Sequence, residues 1–430
     1  MTRSSLFVSG VCTVGALLLS ACSTESRPEI TYTYAQDVAP ILARRCTTCH
    51  APNGIAPFSL TTYDDARRYA DAIRDAVASR RMPPFPPDPD DCQPMDDFRA
   101  ITRAERDTIT SWVDSGALLG DPSRAAPAPP PEREVLGPPT DVFDSGISYV
   151  SKFTGADEYR CFIVDPRFVE TAYGHAFNVR SSDPRVVHHV DLRYVLPGDV
   201  AKLEALDAAD PEPGYECFGG FVVDAQSLAG GGTGRRSPGG TGYAFPPGTK
   251  FVVQIHYNYA SGRDVSRVAV EMWRSPVPLS RRPFAFGLSE NDIVIPAGAR
   301  DVSVRTRLPV VGRESPAPRV GVPDGDVWEL TPHMHQLGRS IRLEVVRADG
   351  SRTCLLHVPR WDLHWQGTFR LARPVGIAPG DEIELTCTWD NSPEHQPIVE
   401  GHRRPPREVR YGPGADDEMC FAGGIVTAPP

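Results

Sequence analysis

From residue 140 onward, short runs of alternating apolar and polar residues recur between Gly- and Pro-containing turns: RVVHHVDLRYVL, TKFVVQIHYNY, SRVAVEMWR, DVSVRTRLPVV, SIRLEVVRA and DEIELTCTW. A period of two puts one face of each run in a core and the other in water, so the runs read as half-buried strands of antiparallel sandwiches. A stretch of roughly 290 residues is too long for one small sandwich and suits two. The Pro-rich segment SPVPLSRRPF (275–284) is the expected boundary, giving sandwiches over 140–280 and 281–430. LAGGGTGRRSPGGTG (228–242) is expected to be a mobile loop.

Residues 34–121 carry a different pattern. AQDVAPILARRC, TTYDDARRYADAIRDAVASRR and TRAERDTITSWVDSGAL read as helices. Thr102 with Glu105 three residues on forms a capping box, and Gly116 is a stop signal. Residues 122–139 hold seven prolines and read as a semi-rigid spacer. The net charge is −10, and the 42 Arg and 3 Lys form no basic block. A partner tracking a phosphate backbone needs such a block, so nucleic acid is excluded.

The N-terminus, MTRSSLFVSGVCTVGALLLSACSTES, has Arg3, then an apolar stretch ending in small residues. This predicts export by a signal peptide over 1–21. Leu19-Ser20-Ala21-Cys22 resembles a bacterial lipobox, which implies cleavage before Cys22 and acylation of its thiol. Residues 22–33 would then be a tether. Ser23, rather than Asp, points to the outer membrane, facing periplasm or cell exterior. An exported chain permits disulfides.

Cys46-Thr47-Thr48-Cys49-His50 is C-x-x-C-H, the pattern of c-type haem attachment: two thioethers and one iron-ligating histidine. His50 is the sole histidine between residues 23 and 140, so the sixth ligand is sought among Met82 and Met95. Met82, in RMPPFPPDPD just after a helix, is preferred. A Met/His pair raises the haem potential and suits electron transfer.

The β half concentrates histidines. His188 and His189 are adjacent, and adjacent strand residues face opposite ways, so both reach one metal only at a strand end or bulge. His256 lies in FVVQIHYNY. His333 and His335, in LTPHMHQLG, are two apart and share a face if that segment is extended. Met419 lies in DDEMCFAGG. Imidazole suits several metals, but a thioether selects soft copper(I). His175, His357, His364, His395 and His402 are scattered singles read as structural. Gln254 shares a strand face with His256 and is a weak candidate for supporting a ligand.

HH, then QIHY, then HMH, then DEMC, in that order, resembles the copper type II, ascorbate-dependent monooxygenases, among them dopamine beta-hydroxylase and peptidylglycine alpha-hydroxylating monooxygenase. The resemblance covers roughly residues 140–430. It implies two jelly-roll-like sandwiches with one copper each: an electron-transfer copper on His188, His189 and His256, and an O2- and substrate-binding copper on His333, His335 and Met419. It also implies disulfides Cys161–Cys217 and Cys387–Cys420, with Cys92 and Cys354 left either free or paired across domains.

The expected architecture is thus a small all-α cytochrome c-like domain followed by two all-β jelly-roll-like antiparallel sandwiches. The expected activity is hydroxylation of a substrate C–H bond with O2, catalysed at His333, His335 and Met419, with two coppers and one haem. The electrons come from a soluble or membrane donor, with delivery through the haem. The rival expectation is a non-catalytic copper-binding or electron-transfer lipoprotein. Thr331 stands where peptide-processing members carry a carboxylate-binding arginine, and Cys420-Phe421-Ala422-Gly423 lacks their Asn and Tyr. The organic substrate is therefore not expected to be a glycine-extended peptide, and it stays unidentified.

Overall fold

A computed structural model describes residues 31–428, apart from 53, 55, 89, 98, 127–135, 153–156, 183–185, 218–221, 229–232, 239, 260–264, 313–320, 400–401, 413 and 415. The predicted signal peptide and the expected acylation site Cys22 lie outside the described residues, as does half of the Pro-rich spacer. Among the described residues no helix is long and apolar enough to cross a membrane.

The first part is helical. After a single π-turn over Tyr34–Val38 come α1 (Ala39–Arg45), α2 (Tyr63–Arg68), α3 (Ala70–Ala78) and α4 (Arg103–Asp114). The Thr102–Glu105 capping box is present, with Glu105 N donating to Thr102 Oγ1 and Thr102 N donating to Glu105 Oε2. It satisfies donors that the first helical turn would leave orphaned. Just past α4, Gly116 takes φ +95°, a left-handed conformation that costs glycine no Cβ clash. Val38, Leu42, Ile73, Ile109 and Trp112 pack a core of their own.

The strands then follow: β1 (Asp141–Tyr149), β2 (Asp157–Val164), β3 (Ala172–Ser181), β4 (Val187–Val195), β5 (Lys250–Asn258) and β6 (Ser266–Arg274). Strands β1-β6-β3 form one sheet and β2-β5-β4 the centre of another. Phe177 and Val270 from the first meet Phe162, Leu192 and Val253 from the second in one core, which makes the pair a sandwich. A helix, Val200–Ala209, interrupts the strands. Its Ala/Leu/Glu-rich sequence favours helix, and Leu203 packs against the Cys161–Cys217 disulfide.

A second sandwich contains β7 (Pro283–Glu290), β8 (Val302–Val311), β9 (Gly325–His333), β10 (Gly338–Val346), β11 (Arg352–Val358), β12 (Phe369–Ile377), β13 (Glu382–Trp389) and β14 (Cys420–Thr427). One sheet runs β7-β14-β9-β12 and the other β8-β13-β10-β11. Leu330, Phe369 and Val426 interleave with Ile341, Leu356 and Leu385 between them. Trp328 and Ile425 join the core of the first sandwich, so the two β units are packed together.

The expected mobile loop at 228–242 needs correction. Thr233–Arg236 is a strand paired with β3, and Arg370 of the second sandwich donates to the Arg236 carbonyl at 2.7 Å. Glycines flanking a short run read as flexible in isolation, but a sheet edge supplied partners for its backbone.

The helical unit is fastened to the second sandwich. Cys92 and Cys354 form a disulfide, the cross-pairing left open by the sequence. Asp91 accepts from Arg342 at 2.9 Å and from His357 Nδ1 at 2.5 Å. Asp88 N donates to the His357 carbonyl, and Arg360 donates to the Ser79 carbonyl. Met95 bridges to Leu371 and is buried in the sandwich core.

Candidate metal centres

Strand β9 ends at His333, and the register His333↔Phe421 aligns it with β14. Continued by two residues, that antiparallel register sets His335 opposite Met419. Residues at i and i+2 share a face, and cross-strand partners share it too. His333 and His335 have their rings in edge contact just past the strand end, and the extended register would set Met419 across from His335. Met334, between the histidines, is fully buried in the core on the other side.

Each imidazole is oriented through Nδ1. His333 Nδ1 donates to Gln366 Oε1 at 2.8 Å, and His335 Nδ1 donates to the Asp417 carbonyl at 3.0 Å. With both Nδ1 atoms engaged as donors, both Nε2 lone pairs are left for a metal, the usual outer arrangement around a ligating histidine. The ring centroids are 5.2 Å apart. Burial pushes the His333 pKa down, which keeps the ring neutral and able to ligate.

Glu418 binds the two segments together. Its carboxylate is fully buried and accepts from His335 N (3.0 Å), Leu337 N (2.6 Å), Trp389 Nε1 (2.8 Å) and Met419 N (3.3 Å). Burial raises its pKa to about 7 against the pull of those donors. The Cys387–Cys420 disulfide fixes the residue after Met419 to the opposing sheet. A Cβ at Gly412 would lie 2.3 Å from Asp417 Oδ2, so this turn closes tightly around the residue whose carbonyl holds His335. Sequence reading missed Glu418 and Gln366. Adjacency to Met419 was a signal for the former, whereas nothing in the sequence marks a glutamine 33 residues from its histidine.

Thr331 shares the face of His333 and lies 2.8 Å, hydroxyl to hydroxyl, from Thr368.

In the first sandwich the backbone meets the condition set by the adjacent histidines. β4 carries an irregularity between Val187 and His189, and His189 pairs with His256 on β5. A bulge breaks the strict alternation of faces. The side chains of His188 and His189 lie outside what is described. His256 is buried and stacks on Tyr159 at 4.2 Å. Gln254 does not support this set: its Nε2 donates to the Cys217 carbonyl at 2.9 Å. Among the described residues no three His, Cys, Asp or Glu side chains cluster as a metal site. The C-terminal set is two histidines and a thioether.

In the helical unit, Cys46 and Cys49 stand outside the three disulfides. His50 Nδ1 donates to the Phe58 carbonyl at 3.1 Å, leaving Nε2 for a metal, and burial lowers its pKa. The donor chemistry fits c-type haem attachment. Met82 is 39% exposed in the loop after α3.

Residues 285–422 match the model of the copper type II ascorbate-dependent monooxygenase C-terminal domain. The match spans His333, His335 and Met419. No curated protein matches the sequence. Among solved structures, the BuGH86 protein in complex with neoagarooctaose is similar at 9% identity over 67% of this chain, with a TM-score of 0.17; the chain covers only 34% of that protein. Allantoicase is similar at 10% identity over 56% of this chain and 81% of its own, with a TM-score of 0.15. Likeness at that level says nothing about the fold.

Proposed function

We propose that the chain is a copper-dependent monooxygenase that hydroxylates a C–H bond of an organic substrate with O2. The observation that carries the reading is the oriented pair His333 and His335, joined through buried Glu418 to the Met419 segment, within the stretch that matches the copper monooxygenase C-terminal domain. Two neutral imidazoles and a thioether form a donor set suited to copper(I). Bound there, copper would supply the one-electron chemistry that activates O2. The chain's own residues do the rest. Gln366 and the Asp417 carbonyl hold the imidazoles by Nδ1, Glu418 ties the His335 and Met419 segments into one unit, and the Thr331–Thr368 pair flanks the face where substrate would lie. Holding the reacting groups in place is the protein's share of such a reaction.

In this reading His188, His189 and His256 hold a second, electron-transfer copper, and Cys46, Cys49 and His50, with Met82 as sixth ligand, hold one c-type haem that relays electrons. Export and acylation at Cys22 place the protein on a membrane, where a soluble or membrane donor reduces it.

The test is metal analysis together with oxygen uptake on purified, copper-loaded protein. The expected result is about two coppers and one haem per chain, with O2 consumption that needs both reductant and a C–H substrate. Copper binding with no substrate-dependent uptake against a broad panel would favour the electron-transfer lipoprotein. Absence of copper would refute both.

A further inference from the structure

Residues 359–368 join β11 to β12 and reach the candidate site at three points. Trp361 Nε1 donates to the His335 carbonyl at 3.1 Å, Gln366 Oε1 accepts from His333 Nδ1 at 2.8 Å, and the Thr368 hydroxyl lies 2.8 Å from that of Thr331. Trp361 has a seat of its own. Its N donates to the Arg339 carbonyl at 2.8 Å, and its buried indole lies against Gly338, where a Cβ would stand 2.5 Å from Cδ1. A glycine within a strand marks such a close approach. His335 is thus held at both ends of its backbone, the N–H by Glu418 and the carbonyl by Trp361. The helical unit grips the same segment from the other side. Arg360 donates to the Ser79 carbonyl at 2.7 Å, just past the end of α3. Carbonyls there lack partners within the helix, and a cation meets the negative end of its dipole. Asp88 N adds a bond to the His357 carbonyl at 2.8 Å.

We infer that residues 359–368 are a strap that sets the two imidazoles against one another, with Trp361 as a positioning residue acting through the His335 backbone, and that the helical unit tunes metal binding by holding the strap through Arg360. The inference rests on the reading above that His333 and His335 hold copper(I). One connection reaches His333 through its ring and His335 through its carbonyl, so its placement fixes both at once. With Trp361 in its seat and Arg360 on Ser79, the strap is ordered before metal arrives, and binding does not have to order it. Releasing either anchor transfers that ordering cost to the binding step.

The experiment measures copper(I) affinity of the full chain by competition with bicinchoninate, in a His188→Ala/His189→Ala background so that the C-terminal set is read alone. Trp361→Phe keeps the ring and removes the Nε1 donor. Affinity should fall about tenfold, the scale on which outer partners of metal ligands act. Arg360 is exposed, so Arg360→Ala disturbs no core. It should lower affinity about threefold, the lower part of the range for a change along a coupled network, with the thermal midpoint unchanged. Arg360→Lys, which can still donate to the Ser79 carbonyl, should restore it. If Trp361→Phe does not fold, the Arg360 pair decides alone. Unchanged affinity in Trp361→Phe or in Arg360→Ala overturns the strap. So does a fall in Arg360→Ala that tracks a lower thermal midpoint or that lysine does not recover. A parent chain that binds no copper(I) contradicts the copper reading itself and takes the strap with it.

Discussion

The two sandwiches present their metal-ligand candidates by different means. In the second, His333 and His335 sit at the end of a ladder; buried Glu418 and the His335 Nδ1 bond tie them to the Met419 segment, Gln366 orients His333, and a disulfide fixes Cys420 to the opposing sheet. In the first, the described support is a break in the β4–β5 register opposite His256 and the stacked ring of Tyr159. What is described of the second set is side-chain chemistry, and of the first, backbone register and one ring stack. The helical unit is bolted to the second sandwich.

The sharpest way to break the comparison is Met419→Ala. Turnover should be abolished, while the copper assigned to the first sandwich remains, measured by metal content and oxygen uptake. Unchanged activity would mean that Met419 only packs beside Cys420.

Glu418→Ala should come next. It strands the buried His335 N, Leu337 N and Trp389 Nε1 donors and should cost about 3 kcal/mol or more. It should also weaken copper binding at the second site about 10–100-fold. Thermal unfolding and copper titration read the two effects. Glu418→Gln keeps a carbonyl acceptor and should do less on both counts. Equal effects in the two variants would show that the web acts only through charge.

Removing Cys387–Cys420 by paired serine substitution should cost about 2–4 kcal/mol through the unfolded chain. It should also lower copper(I) retention at the second site and not at the first. Equal losses at both sites would erase the distinction drawn here.

The smallest effect concerns the seam. Asp91 is held below the ordinary carboxylate range by its hydrogen bond from His357, opposed by partial burial and aided by Arg342. A lowered carboxyl contributes stability that is present above its unfolded pKa of about 3.9 and fades as pH falls through the folded value. The pair is partly exposed, so Asp91→Asn should cost under about 1 kcal/mol, and it should flatten the stability profile only at acid pH. A loss near neutral pH would assign the contribution to packing.

The sequence carried much of this. A period of two marked most long strands and the Thr102–Glu105 pair marked α4. The rest depended on long-range closure that no local pattern encodes. Met95's bridge to Leu371 had no signal in the sequence. Cys92 and Cys354 could be free or paired across domains, and β11 brings Cys354 to Cys92. Gln366 and Glu418 matter only because the fold brings them to histidines far away in the chain.

The central claim is that the second sandwich holds copper(I) on His333, His335 and Met419. X-ray absorption at the copper edge, on reduced, copper-loaded protein, tests it most directly. The account predicts sulfur scattering beside imidazole in the intact chain, and loss of the sulfur shell with the imidazole shell retained in Met419→Ala. Copper coordinated only by nitrogen and oxygen in the intact chain, or a sulfur shell that survives the substitution, would contradict it.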